Sequence, residues 1–121
     1  MSVTTTGVDV RWSPVCAAAS LTPGQALALH VAGQPVAVFR THDGELFALA
    51  DVDPHADADA GHGSLSAGRL ASRRDVPVVV AAASGQRFEL ARGICIDGGA
   101  PATPFAVRVT DGTVEVAVPA A

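Results

Sequence analysis

Turn chemistry recurs along this chain at short intervals, and that spacing limits what it can fold into. Ser20-Leu-Thr-Pro-Gly24, Ala32-Gly-Gln34, Thr41-His-Asp-Gly-Glu45, Ser84-Gly85, Ala91-Arg-Gly93 and Thr110-Asp-Gly112 each carry the glycine, proline or Asp-Gly pair that reverses a backbone. The apolar runs between them are too short for self-supporting helices and long enough for strands. Trp12 to Cys16, broken by Pro14, suits an edge strand. Ala26 to Val31 and Pro35 to Arg40 read as a hairpin, which Leu46 to Leu49 extends into a three-stranded antiparallel meander.

Val78 to Ala82, Arg87 to Leu90 and Ile94 to Ile96 read as further short strands. Phe105 to Val109 and Thr113 to Val118 form a closing hairpin, with Val107, Val109, Val114, Val116 and Val118 on alternate positions. Only Ala17 to Leu21 invites a brief helical turn. The expected fold is all-β, with small antiparallel sheets forming a sandwich or partial barrel.

With 121 residues, 49% of them hydrophobic and 17% charged, the chain has material for one core and one domain. Residues 11 to 118 are read as that domain and 1 to 10 as a flexible N-terminus. Trp12 and Phe39 are expected in the core, and Phe88 and Phe105 in core or interface. Aromatics make up only 4%, the net charge is −4 and lysine is absent, so neither a stacking platform nor a basic stripe exists and nucleic acid is not expected as a partner. The apolar stretch from Val76 to Ala83 contains Pro77 and falls far short of the roughly 20 residues of a membrane-spanning helix. No membrane contact is expected. The N-terminus lacks the charged leader and apolar run of a secretory signal, so the expected compartment is cytoplasmic.

Cys16 and Cys95 are too far apart for a metal knuckle or a redox pair and read as free thiols packed like small hydrophobes. The stretch from residue 51 to 68 is the longest irregular loop and holds Asp53, His55, Asp57, Asp59 and His62. Carboxylates and imidazoles together could hold zinc or non-haem iron, but their spacing fits no metal motif, and a solvated loop is the plainer reading. His55 and His62 have no nucleophile placed beside them, and Ser64, Ser66 and Ser84 stand in turn settings, so no catalytic residue is expected. Arg69, Arg73, Arg74 and Asp75 make a charged run that reads as a solvated face, with partner contact as the alternative.

Read in order, six segments resemble the small-subunit family of NAD(P)H-dependent nitrite reductases over about residues 11 to 116. They are Trp12-Ser-Pro-Val-Cys16, Val36-Ala-Val-Phe39 with Asp43-Gly44, Asp51-Val-Asp-Pro54, Gln86-Arg-Phe-Glu-Leu90, Gly93-Ile-Cys-Ile-Asp97, and Val107-Arg-Val109 with Asp111-Gly-Thr-Val-Glu115. That family is similar to the Rieske-type iron-sulfur protein domain fold, whose two-loop tip carries a [2Fe-2S] cluster. Such a centre takes two thiolates on one iron and two imidazoles on the other, presented as Cys-x-His and Cys-x-x-His. The matching positions here are Asp53 and His55 in the first loop and Ala81 and Ser84 in the second. A shifted first-loop alignment lands on Asp57 and Asp59, which supply no sulfur either, and Cys16 and Cys95 lie on other segments.

The resemblance therefore implies a non-catalytic small subunit with no cofactor of its own. Its partner would be a large subunit that carries FAD, sirohaem and a [4Fe-4S] cluster and reduces nitrite to ammonium in nitrate assimilation. The alternative is a Rieske-like ferredoxin component, or a metal-binding domain using Asp53, His55, Asp57 and His62.

Overall fold

The computed structural model describes residues 10–55 and 63–119. Among the described residues nine strands follow one another: β1 (Val10–Ala17), β2 (Ala26–Val31), β3 (Gln34–Arg40), β4 (Leu46–Ala50), β5 (Arg69–Arg73), β6 (Val76–Val80), β7 (Arg87–Glu89), β8 (Pro104–Thr110) and β9 (Thr113–Pro119). They build a six-stranded sheet in the order β1-β9-β8-β4-β3-β2 and a three-stranded sheet in the order β5-β6-β7. Every pairing is antiparallel. The larger sheet curls until its edges β1 and β2 approach each other, which gives the expected all-β partial barrel.

Hairpin chirality accounts for the tight connections. A two-residue turn matches the right-handed twist of its strands when both central residues have positive φ. Ala32-Gly33 joins β2 to β3 with φ of 52° and 80°, and Asp111-Gly112 joins β8 to β9 with 51° and 78°. Arg74-Asp75 does the same for β5 and β6 with 53° and 67°, although neither residue is glycine.

Two cores share the meander. Val36, Val38, Ala48, Val114, Val116 and Val118 fill the inside of the curled sheet with Leu21 and Val31. Ala37, Phe39 and Leu49 project from the opposite face and pack with Leu65, Val79, Ala81, Phe88, Leu90 and Cys95 against the three-stranded sheet. This explains the continuous burial from Val36 to Phe39, since a strand covered on both faces needs no polar alternation.

Several expectations are corrected. The charged run Arg69, Arg73, Arg74 and Asp75 is exposed, as a solvated face requires, but it is ordered as β5 and its turn, because every β5 residue has a partner on β6. The strand expected at Val78 to Ala82 runs from Val76 to Val80, its start set by that turn. Ile94 to Ile96 contributes only a bridge between Cys95 and Phe88. Trp12 lies outside the core, 36% exposed, because β1 is an edge strand and presents the ring to Arg108 on the outer face. Val109 is 49% exposed although it pairs across the hairpin with the fully buried Val114. Phe88 is fully buried and Phe105 half-buried. Cys16 and Cys95 are free thiols, the first half-buried and the second buried.

Candidate functional site

Two loops leave the same end of the domain, one after β4 and one after β6, and the segment 94–101 lies beside them. The first is anchored at its root, where the Ala50 N–H donates to Thr103 O at 2.8 Å and the Asp51 N–H to Pro35 O at 2.9 Å. The Asp51 carboxylate accepts the Ser66 N–H and the Ser66 hydroxyl, both at 2.7 Å, so it closes the loop and secures the 3-10 turn Leu65–Ala67. That turn plants Leu65, fully buried, in the core beneath.

Asp53 follows, only 3% exposed. Its N–H donates to Gly63 O at 3.1 Å, and its Oδ1 accepts the His55 N–H at 2.9 Å, an Asx turn around Pro54. Its Oδ2 is buried without a hydrogen-bond partner among the described residues. The turn directs the His55 ring toward Phe88, with centroids 5.8 Å apart and planes tilted by 45°. His55 Nε2 lies 3.1 Å from Ala100 O.

The second loop turns tightly, with the Ala81 N–H donating to Gln86 O and the Gly85 N–H to Ala81 O, each at 2.9 Å. Ser84 Oγ accepts the Gln86 N–H at 3.2 Å, which is local turn bonding. The Ala81 methyl is buried in the same core cluster as Phe88 and Cys95. Beyond β7, the Glu89 N–H donates to Ile94 O and the Ile96 N–H to Arg87 O at 2.8 Å each, which delivers Cys95 beneath the second loop. Its Sγ lies 3.6 Å from Gln86 Oε1. Asp97 accepts the Arg87 N–H at 2.9 Å and its guanidinium NH2 at 2.6 Å. Those hydrogen bonds, the guanidinium's first, hold the Asp97 carboxyl below the ordinary carboxylate range.

The four positions read from sequence thus flank one end of the domain: Asp53 and His55 on the first loop, Ala81 and Ser84 on the second. Asp57, Asp59 and His62 lie outside the described residues. Among the described residues no group of three His, Cys, Asp or Glu side chains converges as a metal site. Sequence reasoning missed the loop-closing role of Asp51 and the proximity of Cys95 to Ala81. The glycine-rich break at Asp97 to Pro101 was the available signal that a third segment bends toward the tip.

A two-iron cluster of the Rieske type is tested directly by these donors. The four positions offer a carboxylate, an imidazole, a methyl group and a hydroxyl where two thiolates and two imidazoles are required. Cys95 is buried, and its sulfur faces Gln86. The residues present do not fit the cluster.

A groove of about 510 Å³ opens at the opposite end, where β4 and β6 begin, lined by His42, Asp43, Glu45, Leu70, Asp75 and Leu90 among others. It shares no residue with the tip. No described helix is long and apolar enough to cross a membrane.

Comparison with known proteins agrees with this architecture. The family model for the Rieske-like [2Fe-2S] domain matches residues 11–117. A Mycobacterium tuberculosis chain assigned as an NADH-dependent nitrite reductase small subunit is 30% identical with a TM-score of 0.83, over 93% of this chain and 99% of its own. The Escherichia coli protein NirD is 25% identical with a TM-score of 0.78, over 91% and 98%. A chain from the oxygenase–ferredoxin complex of carbazole 1,9a-dioxygenase is 30% identical with a TM-score of 0.70, over 86% and 99%. No curated protein matches the chain. With a family model spanning both cores and the tip, and small-subunit structures aligned over nine-tenths of its length, the chain belongs to the Rieske-like [2Fe-2S] domain family and, within it, to the nitrite reductase small-subunit group.

Proposed function

We propose that this chain is the small subunit of a cytoplasmic NAD(P)H-dependent nitrite reductase and holds no iron-sulfur cluster of its own. One observation carries the reading: a carboxylate and a methyl group, Asp53 and Ala81, stand where the fold would need its sulfurs. A domain without a redox centre relays no electrons, so its contribution is a surface for the large subunit. That subunit supplies FAD, sirohaem and a [4Fe-4S] cluster and converts nitrite to ammonium. The likeness to the small subunits of M. tuberculosis and E. coli supports the assignment over nearly the whole chain.

The likeness to the carbazole dioxygenase complex favours a second reading, a ferredoxin-type electron carrier. One experiment separates the two. The chain is expressed with iron and sulfide in supply and purified, and its visible absorption, iron content and reduced-state paramagnetic signal are recorded. A colourless, iron-free protein supports the small-subunit reading, and a brown protein with two irons per chain supports the carrier. Pull-down from native extract then tests the partnership. Recovery of a sirohaem-containing protein, whose nitrite reduction falls when this chain is removed, is the expected result. Full activity without the chain, and no large partner recovered, overturns it.

A further inference from the structure

A Rieske-like tip without a cluster lacks the bridge that would hold its loops, and the structure points to a replacement. We propose that His55 is a metal-free clasp, fastening the first tip loop to the segment 97–101 and fixing the shape of that end of the domain. This inference rests on the cluster-free reading above, since in a cluster-bearing tip the same ring would be held by iron.

Three features define the clasp. Its root is rigid, because the Asp53 side chain that accepts the His55 N–H at 2.9 Å is almost wholly buried. Its ring rests on Phe88 and covers the Gly99 backbone so closely that a Cβ at residue 99 would collide with it. Its far end meets Ala100 O at 3.1 Å.

Arg87 holds the start of the segment that the ring meets, at Asp97, and beyond that residue few other contacts fasten it. Residues 97 to 101 are exposed. The flanking backbone bonds are Gly98 N–H to Cys95 O at 3.1 Å and Ala102 N–H to Gly93 O at 2.8 Å. Among the described residues, the imidazole makes the hydrogen bond that reaches Ala100. The histidine has therefore become a structural tie between the first loop and the third, where a cluster would join the first to the second. Gly99 is the position that admits it.

Amide exchange on the full chain, compared among wild type, His55→Ala and Gly99→Ala, tests this. Gly99→Ala leaves the imidazole in place chemically but puts a methyl group where the ring lies. Both variants should exchange the hydrogen-bonded amides of Gly98 and Ala102 roughly tenfold faster, the scale set by one net hydrogen bond. Amides of β8 and β9 should stay at wild-type rates. The His55 ring-proton resonances, displaced by the Phe88 ring current, should move toward free-histidine positions in Gly99→Ala. Unchanged exchange in both variants, or unmoved ring resonances in Gly99→Ala, overturns the clasp. If His55→Ala fails to fold, Gly99→Ala alone decides by the same two readouts. A cluster in the purified wild type would instead overturn the cluster-free reading, whatever the exchange rates.

Discussion

Arg108 sits over the ring of Trp12, its Cζ 4.0 Å from the ring centroid, and spans β9 to reach a residue two strands away. The same guanidinium donates through Nε to Glu115 Oε1 at 2.7 Å, and Thr110 Oγ1 donates to that oxygen at 3.0 Å. The group clamps the edge strand β1 to the closing hairpin on the outer face. Arg108→Ala should cost about 0.5–1 kcal/mol, the range for an exposed cation–π contact. Trp12 is the sole tryptophan, so its emission reports the change directly and should shift in the variant while far-UV dichroism stays constant.

The first loop depends on Asp51. Removing its carboxylate strands the Ser66 N–H and hydroxyl and releases the turn that seats Leu65. Asp51→Ala should lower stability by about 1–3 kcal/mol, as for a hydrogen-bonded group left without its partner. Urea denaturation reads this as a lower midpoint with an unchanged slope.

Arg74 and Asp75 occupy left-handed backbone without the freedom of glycine, at φ of 53° and 67°. That conformation costs an L-residue roughly 1 kcal/mol or more. Replacing the pair with Asn-Gly, Arg74→Asn with Asp75→Gly, should raise stability by about 1 kcal/mol in equilibrium unfolding. The rest of the domain should keep its spectrum.

Acid should loosen the tip through Asp97. The Arg87 guanidinium depresses its folded-state pKa, so the stabilisation is present above the unfolded carboxylate range and is lost as pH falls through the depressed value. Arg87→Gln removes the partner. Plotted against pH, the Tm of wild type should exceed that of the variant at neutrality, and the two curves should converge in acid. Curves that stay parallel would assign the Arg87 effect to packing.

Much of this was legible in the residues, for reasons that differ by element. β8 and β9 declare themselves because Asp111-Gly112 is a pair that two-residue hairpin turns prefer, and β2 and β3 because Gly33 interrupts two apolar runs. β5 does not, since Arg-Leu-Ala-Ser-Arg carries little apolar alternation and its strand conformation comes from pairing with β6. Its turn, Arg74-Asp75, also lacks the glycine that would have marked it. Trp12 misleads because hydrophobicity does not say which face of an edge strand a side chain takes. At the tip, the spacing of Asp53 and His55 was readable against the Rieske pattern, and so was the missing sulfur. The work of Asp51 was not, because its partner Ser66 lies fifteen residues away. Nor was the seat of the His55 ring on Phe88 and Gly99, which only tertiary structure brings together.

The stretch Val36 to Phe39 is a party wall: Val36 and Val38 belong to the barrel interior, Ala37 and Phe39 to the layer under the tip. Neither compartment can melt while the other stays dry, because the same four residues would have to leave both at once. The whole domain should therefore lose structure in a single step, and damage sustained inside the barrel should register at the loops on the far side of that wall.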